Sequence, residues 1–253
     1  MNFDIPMERM IWVYASLIVP VGIFYVLKMQ ALSKDLLVAV AKMTVQLIFI
    51  AFYLVVLFDL NNLWLNLAWL VVMVLIANWT ILGRTKLPKK AFFLPVLIGL
   101  LTGTALIASL FIGLLIQPDP WFDARYLIPL VGMILGNSMQ GNVIVLERFY
   151  HAIEQRREEY LSYVFMGATD FEAARPFLRE ALSAALAPTI AMIGTTGIVF
   201  LPGMMTGQIL AGADPTEAVK YQIMILIGIA IAVLLSTLLS TVLSLKFKQP
   251  LGD

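Results

Sequence analysis

Long runs without charged residues alternate with short polar connections along the sequence. The runs cover residues 10–27, 43–58, 60–83, 91–118, 126–146, 181–213 and 221–245. A bilayer span needs about 20 mostly apolar residues, within a range of roughly 17–25, so this pattern predicts membrane-crossing helices. The second run is short. Extending it back to Leu36 completes a span and leaves Lys42 near one end, where its stem can snorkel. The sixth run is too long for one span: Pro188 lies inside it and Pro202-Gly203 interrupts it. That predicts a helix to about Leu201, then a short re-entrant or interfacial piece. The expected fold class is all-α, a polytopic membrane protein of about seven transmembrane helices in a single domain, 1–253.

One long segment breaks the pattern. Residues 148–180, RFYHAIEQRREEYLSYVFMGATDFEAARPFLRE, hold five arginines and the chain's one histidine, His151. Residues 154–165 read as a helix whose polar face carries Glu154, Arg157 and Glu158. Gly167 can end it in the left-handed conformation. Thr169 can cap a second helix, with Glu172 completing a capping box three residues on. That second helix presents Ala173, Ala174, Phe177 and Leu178, a small apolar surface flanked by arginines. An amphipathic segment on anionic lipid is one reading. The rigid central turn favours the other, a helix–turn–helix that docks on a soluble partner.

Composition agrees with the spans: 61% of the 253 residues are hydrophobic and 13% charged, against roughly 25% charged in soluble domains. A formal net charge of +1 gives no footprint for nucleic acid. With no cysteine there is no disulfide, thiolate metal site or cysteine nucleophile. The opening MNFDIPMERM lacks a basic region and a cleavage site, so the first run is expected to stay as a span. Charge placement sets the orientation. Lys28, Lys34, Arg84, Lys86, Lys89, Lys90, the five loop arginines, Lys246 and Lys248 fall on one side, and Arg9, Arg125 and Lys220 on the other. The expectation is N-out and C-in, with the basic loop in the cytoplasm.

The spans lack mid-membrane Asp and Glu, which argues against a proton- or ion-coupled carrier and against an intramembrane protease, which would need paired Asp, a Ser/His pair or a zinc motif. The stretch 136–142, GNSMQGN, spaces two glycines like a phosphate loop, but Asn142-Val143 stands where Lys-Ser/Thr is required. It offers instead Asn137, Gln140 and Asn142, with the thioether of Met139 beside them. Amides in hydrocarbon need partners, so these groups either bond between helices or line a substrate path. Thr44, Gln46 and Asn78 read as helix–helix glue, and His151 as a surface histidine. The later methionines Met133, Met139, Met192, Met204 and Met205 can be soft metal ligands or fillers of apolar gaps. The pairs Gly99/Gly103, Gly132/Gly136 and Gly203/Gly207 are spaced for close helix contact, within the chain or across a dimer.

The stretches MGATDFEAARPFLREALSAALAPT and GTTGIVFLPGMMTGQILAGADPTEAVKYQIMI, with GMILGNSM before them, resemble the Fet-type iron-export ABC permeases. The likeness is strong over residues 130–244 and topological before that. It implies a bacterial inner-membrane permease that binds no cofactor itself, forms a homodimer and works with a separate ATPase subunit carrying ATP and Mg²⁺. By the resemblance, Glu159, Gly167, Ala168 and Thr169 fall in the coupling loop, beside Arg175. Iron or another metal is the implied cargo. The broken helix at Pro202, Gly203, Met204, Met205 and Gly207 suits a gate or a re-entrant hairpin. Rival readings are an ABC permease for a non-metal solute, a secondary carrier, and a membrane scaffold that only recruits a cytoplasmic protein.

Overall fold

The computed structural model describes residues 6–247. Those residues are almost entirely helical. The helices are α1 (Met7–Ala15), α2 (Ile18–Val26), α3 (Gln30–Leu60), α4 (Leu63–Thr85), α5 (Lys89–Leu110), α6 (Ala124–Gln155), α7 (Arg157–Phe165), α8 (Asp170–Thr195), α9 (Gly203–Leu210) and α10 (Pro215–Phe247). A π-helical turn, Phe111–Ile116, extends α5. Seven segments are long and apolar enough to cross a membrane, as the charge-free runs predict. The first of them is broken at Ser16-Leu17 into α1 and α2, and the second starts at Gln30, six residues before the expected Leu36.

The chain forms two compact units, Met1–Leu60 and Asn61–Asp253. In the first, α2 lies against α3, and the Tyr14 and Thr44 hydroxyls share a hydrogen bond of 2.9 Å. Thr44 is therefore glue, as read from the sequence.

The second unit is built around α10, which packs on α5, α6, α8 and α9. Small residues let it approach closely. A Cβ added at Gly99 would lie 2.7 Å from the Ser236 carbonyl oxygen, and one at Gly103 would lie 2.8 Å from that of Ala232. The α5–α10 crossing therefore requires glycine at both positions, and this pair packs within the chain. Gly136, Gly203 and Gly207 have open space where a Cβ would stand, and Gly132 only the end of Met73 nearby. The Gly203/Gly207 pair therefore seats no neighbouring helix within the chain, and of Gly132/Gly136 only Gly132 faces one, meeting Met73 of α4. Along α10, Ser236, Thr237, Ser240, Thr241 and Ser244 are all buried. Tyr150 and Ser244 share a hydrogen bond of 2.8 Å across α6 and α10. Asn78 donates to the Phe93 carbonyl at 3.1 Å, tying α4 to α5 as expected of interhelical glue.

Two boundaries differ from the pattern. The helix expected to reach Leu201 ends at Thr195, because Thr196 is extended and Gly197 takes φ +90°. Apolar residues that continue the run there form a tight turn rather than helix. The helix expected over 154–165 is split at Arg156 (φ −111°, ψ 41°), so α6 runs on to Gln155 and α7 starts at Arg157. Charge periodicity is continuous across that break and does not mark it.

Candidate functional site

The polar segment folds as the end of α6, α7, a turn and the start of α8. Gly167 has φ +94°, a conformation L side chains avoid, and the Ala168 N–H donates to the Tyr163 carbonyl at 3.0 Å. Thr169 then caps α8. Its Oγ1 accepts the Glu172 N–H at 3.4 Å, and its own N–H donates to Glu172 Oε2 at 2.8 Å. Two helices are thus locked across four residues, Met166 to Thr169, by local bonds that the sequence announced.

Long-range packing fixes the element to the membrane body. Ala173, Ala174, Phe177 and Leu178 are buried in one cluster with Phe149, Tyr150 and Ile153 of α6 and with Tyr160 of α7. This corrects the expectation of a free apolar docking face. The helix that carries these residues continues into the membrane as α8, and its apolar stripe belongs to the core. Tyr160 donates to Asp170 Oδ1 at 3.2 Å. Burial, then the neighbouring Asp170 carboxylate and that hydrogen bond, raise the Tyr160 pKa above its usual value.

The exposed apolar groups lie instead at the tip. Phe165 and Met166 are 84% and 75% exposed, with Phe171 half exposed beside them. Ala168 is half-buried against the core cluster, Glu159 is half-buried, and Thr169 and Arg175 are exposed. Arg175, Phe171, Glu172 and Arg179 line a shallow groove along the outer side of α8. The structure therefore sets Gly167, Ala168 and Thr169 beside a greasy knob, with Arg175 in the second turn of α8, while Glu159 stands in the first turn of α7, 3.8 Å from Arg156. Sequence reasoning missed Phe165 and Met166, since apolar residues at a helix end usually point inward; their adjacency to the Gly167 turn was the available signal.

Within the membrane segments, the structure separates the four pathway candidates. Asn142 is buried between α6 and α10, donating to the Ser138 carbonyl at 2.8 Å and to Ser236 Oγ at 3.0 Å. Asn137 is half-buried and donates to its own helix at Met133 O, 2.8 Å away. Gln140 is exposed, and Met139 packs on the core cluster. Helical periodicity places Asn137, Gln140, Glu147, Arg148 and His151 on one side of α6 as a strip, with Asn142 on the opposite face. His151 accepts from the Gln155 amide at 2.9 Å, as a surface histidine would.

Met133 and Met204 pack on an apolar cluster of the bundle and act as fillers there; Met192 and Met205 are half-buried. Among the described residues, no group of three or more His, Cys, Asp or Glu is placed to hold a metal ion. Pro202 is buried and begins α9, so Met204, Met205 and Gly207 lie on a short helix beside α10. Before it, the backbone N–H groups of Val199 and Phe200 both point at the Thr195 carbonyl, at 3.0 and 3.3 Å, while Ile198 and Val199 are almost fully exposed.

A family model described as an uncharacterised protein family, UPF0014, matches residues 7–247. The chain belongs to the UPF0014 family. This UPF0014 chain is 38% identical over 195 residues to UPF0014 membrane protein slr1647 of Synechocystis, covering 77% of this chain and 75% of that protein. It is 32% identical over 195 residues to the probable iron export permease protein FetB of Escherichia coli, covering 77% and 74%. Protein ALUMINUM SENSITIVE 3 of Arabidopsis thaliana is 30% identical over 197 residues, covering 78% and 70%. No solved structure matches. The relatives named as membrane or permease proteins agree with a multi-pass, non-enzymatic membrane subunit.

Proposed function

We propose that this chain is the membrane subunit of an ATP-driven exporter of metal ions, with iron as the leading cargo. One observation carries the reading: a helix and turn outside the spans, α7 and residues 166–169, that pack on α6, run into the capped start of α8 and expose Phe165 and Met166 at the tip. An exposed apolar knob on a rigid polar arm fits a groove on a soluble protein. The resemblance to iron-export permeases, and the name of the Escherichia coli relative, make that protein an ATPase subunit and the cargo a metal.

In this reading the end of the bundle that carries the α7 tip and most of the Lys and Arg faces the cytoplasm of a bacterial inner membrane. ATP-driven closure of two ATPase subunits moves the tip. Because α7 shares a core with α6 and α8, the movement is delivered to two spans as a rigid-body shift. A homodimer would close the open α6 strip, bringing two copies of Asn137 and Gln140 to a common axis. Those amides supply oxygen ligands suited to a hydrated or hard cation better than to a soft one.

Metal flux into proteoliposomes that hold this chain and the ATPase subunit tests the proposal. Iron movement should require both ATP and the ATPase. Flux with this chain alone would restore the secondary carrier, and nucleotide-stimulated ATPase activity without metal flux would transfer the proposal to another solute.

A further inference from the structure

At the end of the bundle opposite the α7 tip, α5 and α10 enclose a groove of about 370 Å³. Gly228 is its narrow point: a Cβ there would meet Ile107 Cγ2 at 2.9 Å and the ring of Phe111. Above and below that contact the groove is apolar, lined by Leu115, Met224, Ile227 and Ile231 among others. Its α5 wall is the π-helical turn, closed by the Gln117 N–H bonding to Ile112 O at 3.1 Å. Such turns frequently mark functional sites.

The mouth has a different chemistry. Lys220 and Leu115 also line an adjoining polar recess with Glu217 and Tyr221. Lys220 Nζ donates to Glu217 Oε1 at 2.7 Å, and both side chains stay mostly in the open. From Lys220 to Ile231 is eleven residues of helix, about 16 Å, which is half of a hydrocarbon core about 30 Å thick. The groove is thus one leaflet deep, with a cation and an anion side by side at its outer end.

We propose that this crease binds one phospholipid whose headgroup carries a phosphate and a primary amine, with an acyl chain lying along Ile227 and Ile231. The depth fits one chain of one leaflet. The Lys220–Glu217 pair complements the headgroup: the ammonium of Lys220 donates to the phosphate, and the Glu217 carboxylate accepts from the lipid amine. A singly anionic headgroup would meet Lys220 but be repelled by Glu217, and a quaternary amine would have no N–H for Glu217 to accept.

Native mass spectrometry of the detergent-purified full chain, titrated with phosphatidylethanolamine, phosphatidylglycerol and phosphatidylcholine of matched acyl chains, tests this. Phosphatidylethanolamine adducts should form at least five-fold more readily than either other lipid. The double variant Lys220→Gln/Glu217→Gln should bind all three equally, because its surface change leaves the groove intact. Ile231→Trp, and separately Ile227→Trp, at partly lipid-facing positions, should lower binding of every lipid several-fold. Equal binding of the three lipids by the wild type, or a preference that survives the double variant, would overturn the proposal. So would unchanged binding in both tryptophan variants with native-like melting.

Discussion

Arg156 stands in the break between α6 and α7 and reaches across to α8, where its Nη2 donates to Glu180 Oε2 at 2.6 Å. Its guanidinium also lies 4.6 Å from the centre of the Phe177 ring. One side chain therefore bridges the hinge of the polar arm and the helix that re-enters the membrane. Both ion-pair partners are about half exposed or more, so the pair itself contributes at most about 1 kcal/mol. Its value lies in geometry. Arg156→Ala should lower thermal stability only slightly while weakening the coupling of ATP hydrolysis to flux several-fold. Arg156→Lys should resemble it, since an ammonium keeps the charge but loses the flat face over Phe177. Melting and flux measured together check this; a full loss of folding would show that the contact is structural instead.

Gly167 and Thr169 hold the tip by independent local terms. Gly167→Ala forces a Cβ into left-handed backbone at a cost of about 1–2 kcal/mol, and Thr169→Ala removes a cap worth about 1 kcal/mol. Each should raise protease cutting at residues 165–169 without changing the membrane spans. Limited proteolysis of protein in nanodiscs reads the difference.

The three glycine pairs should behave unequally. Gly99→Leu or Gly103→Leu places a side chain against α10 backbone and should abolish accumulation of folded protein. Gly203→Ala and Gly207→Ala meet open space within the chain and should accumulate normally. Expression and detergent melting distinguish the sets.

Asn142 and the pair Asn137/Gln140 divide in the same way. Asn142→Leu removes the bridge to Ser236. A hydrogen bond of that kind contributes on the order of 0.6 kcal/mol within membranes, and the double-mutant cycle with Ser236→Ala should return a coupling of that size. Asn137→Ala/Gln140→Ala should leave melting unchanged and lower metal flux. Unchanged flux at normal expression would remove the open strip from the path.

The raised pKa of Tyr160 adds a pH dependence. The folded arm favours the protonated phenol, so its contribution is complete below the ordinary tyrosine range and is lost as pH rises through the higher folded value. Tyr160→Phe should flatten the alkaline limb of the melting curve relative to wild type.

The spans were legible because exclusion of charge from hydrocarbon leaves a mark on every residue of a crossing helix. The turn behind the tip was legible because Gly167, Thr169 and Glu172 act within one six-residue stretch. What the sequence concealed depends on neighbours distant in the chain. Ala173, Ala174, Phe177 and Leu178 make an apolar stripe that either a partner or the chain's own core could cover, and only the approach of Phe149 and Tyr160 decides it. The same holds for Asn142, whose amide has the composition of its open neighbour Asn137 but faces Ser236. On α10, Ser236, Ser240 and Ser244 repeat every four residues, a periodicity that points to close packing once Gly99 and Gly103 are set against it.

The seating of the tip on an ATPase is directly measurable, because the sequence contains no cysteine. Single variants Met166→Cys and Ile198→Cys, both at exposed positions, would be labelled with a hydrophilic maleimide in detergent-solubilised complexes, with and without the ATPase subunit. The subunit should protect Met166→Cys at least ten-fold and leave Ile198→Cys labelled at its original rate. Equal labelling of Met166→Cys with and without the bound subunit would contradict it.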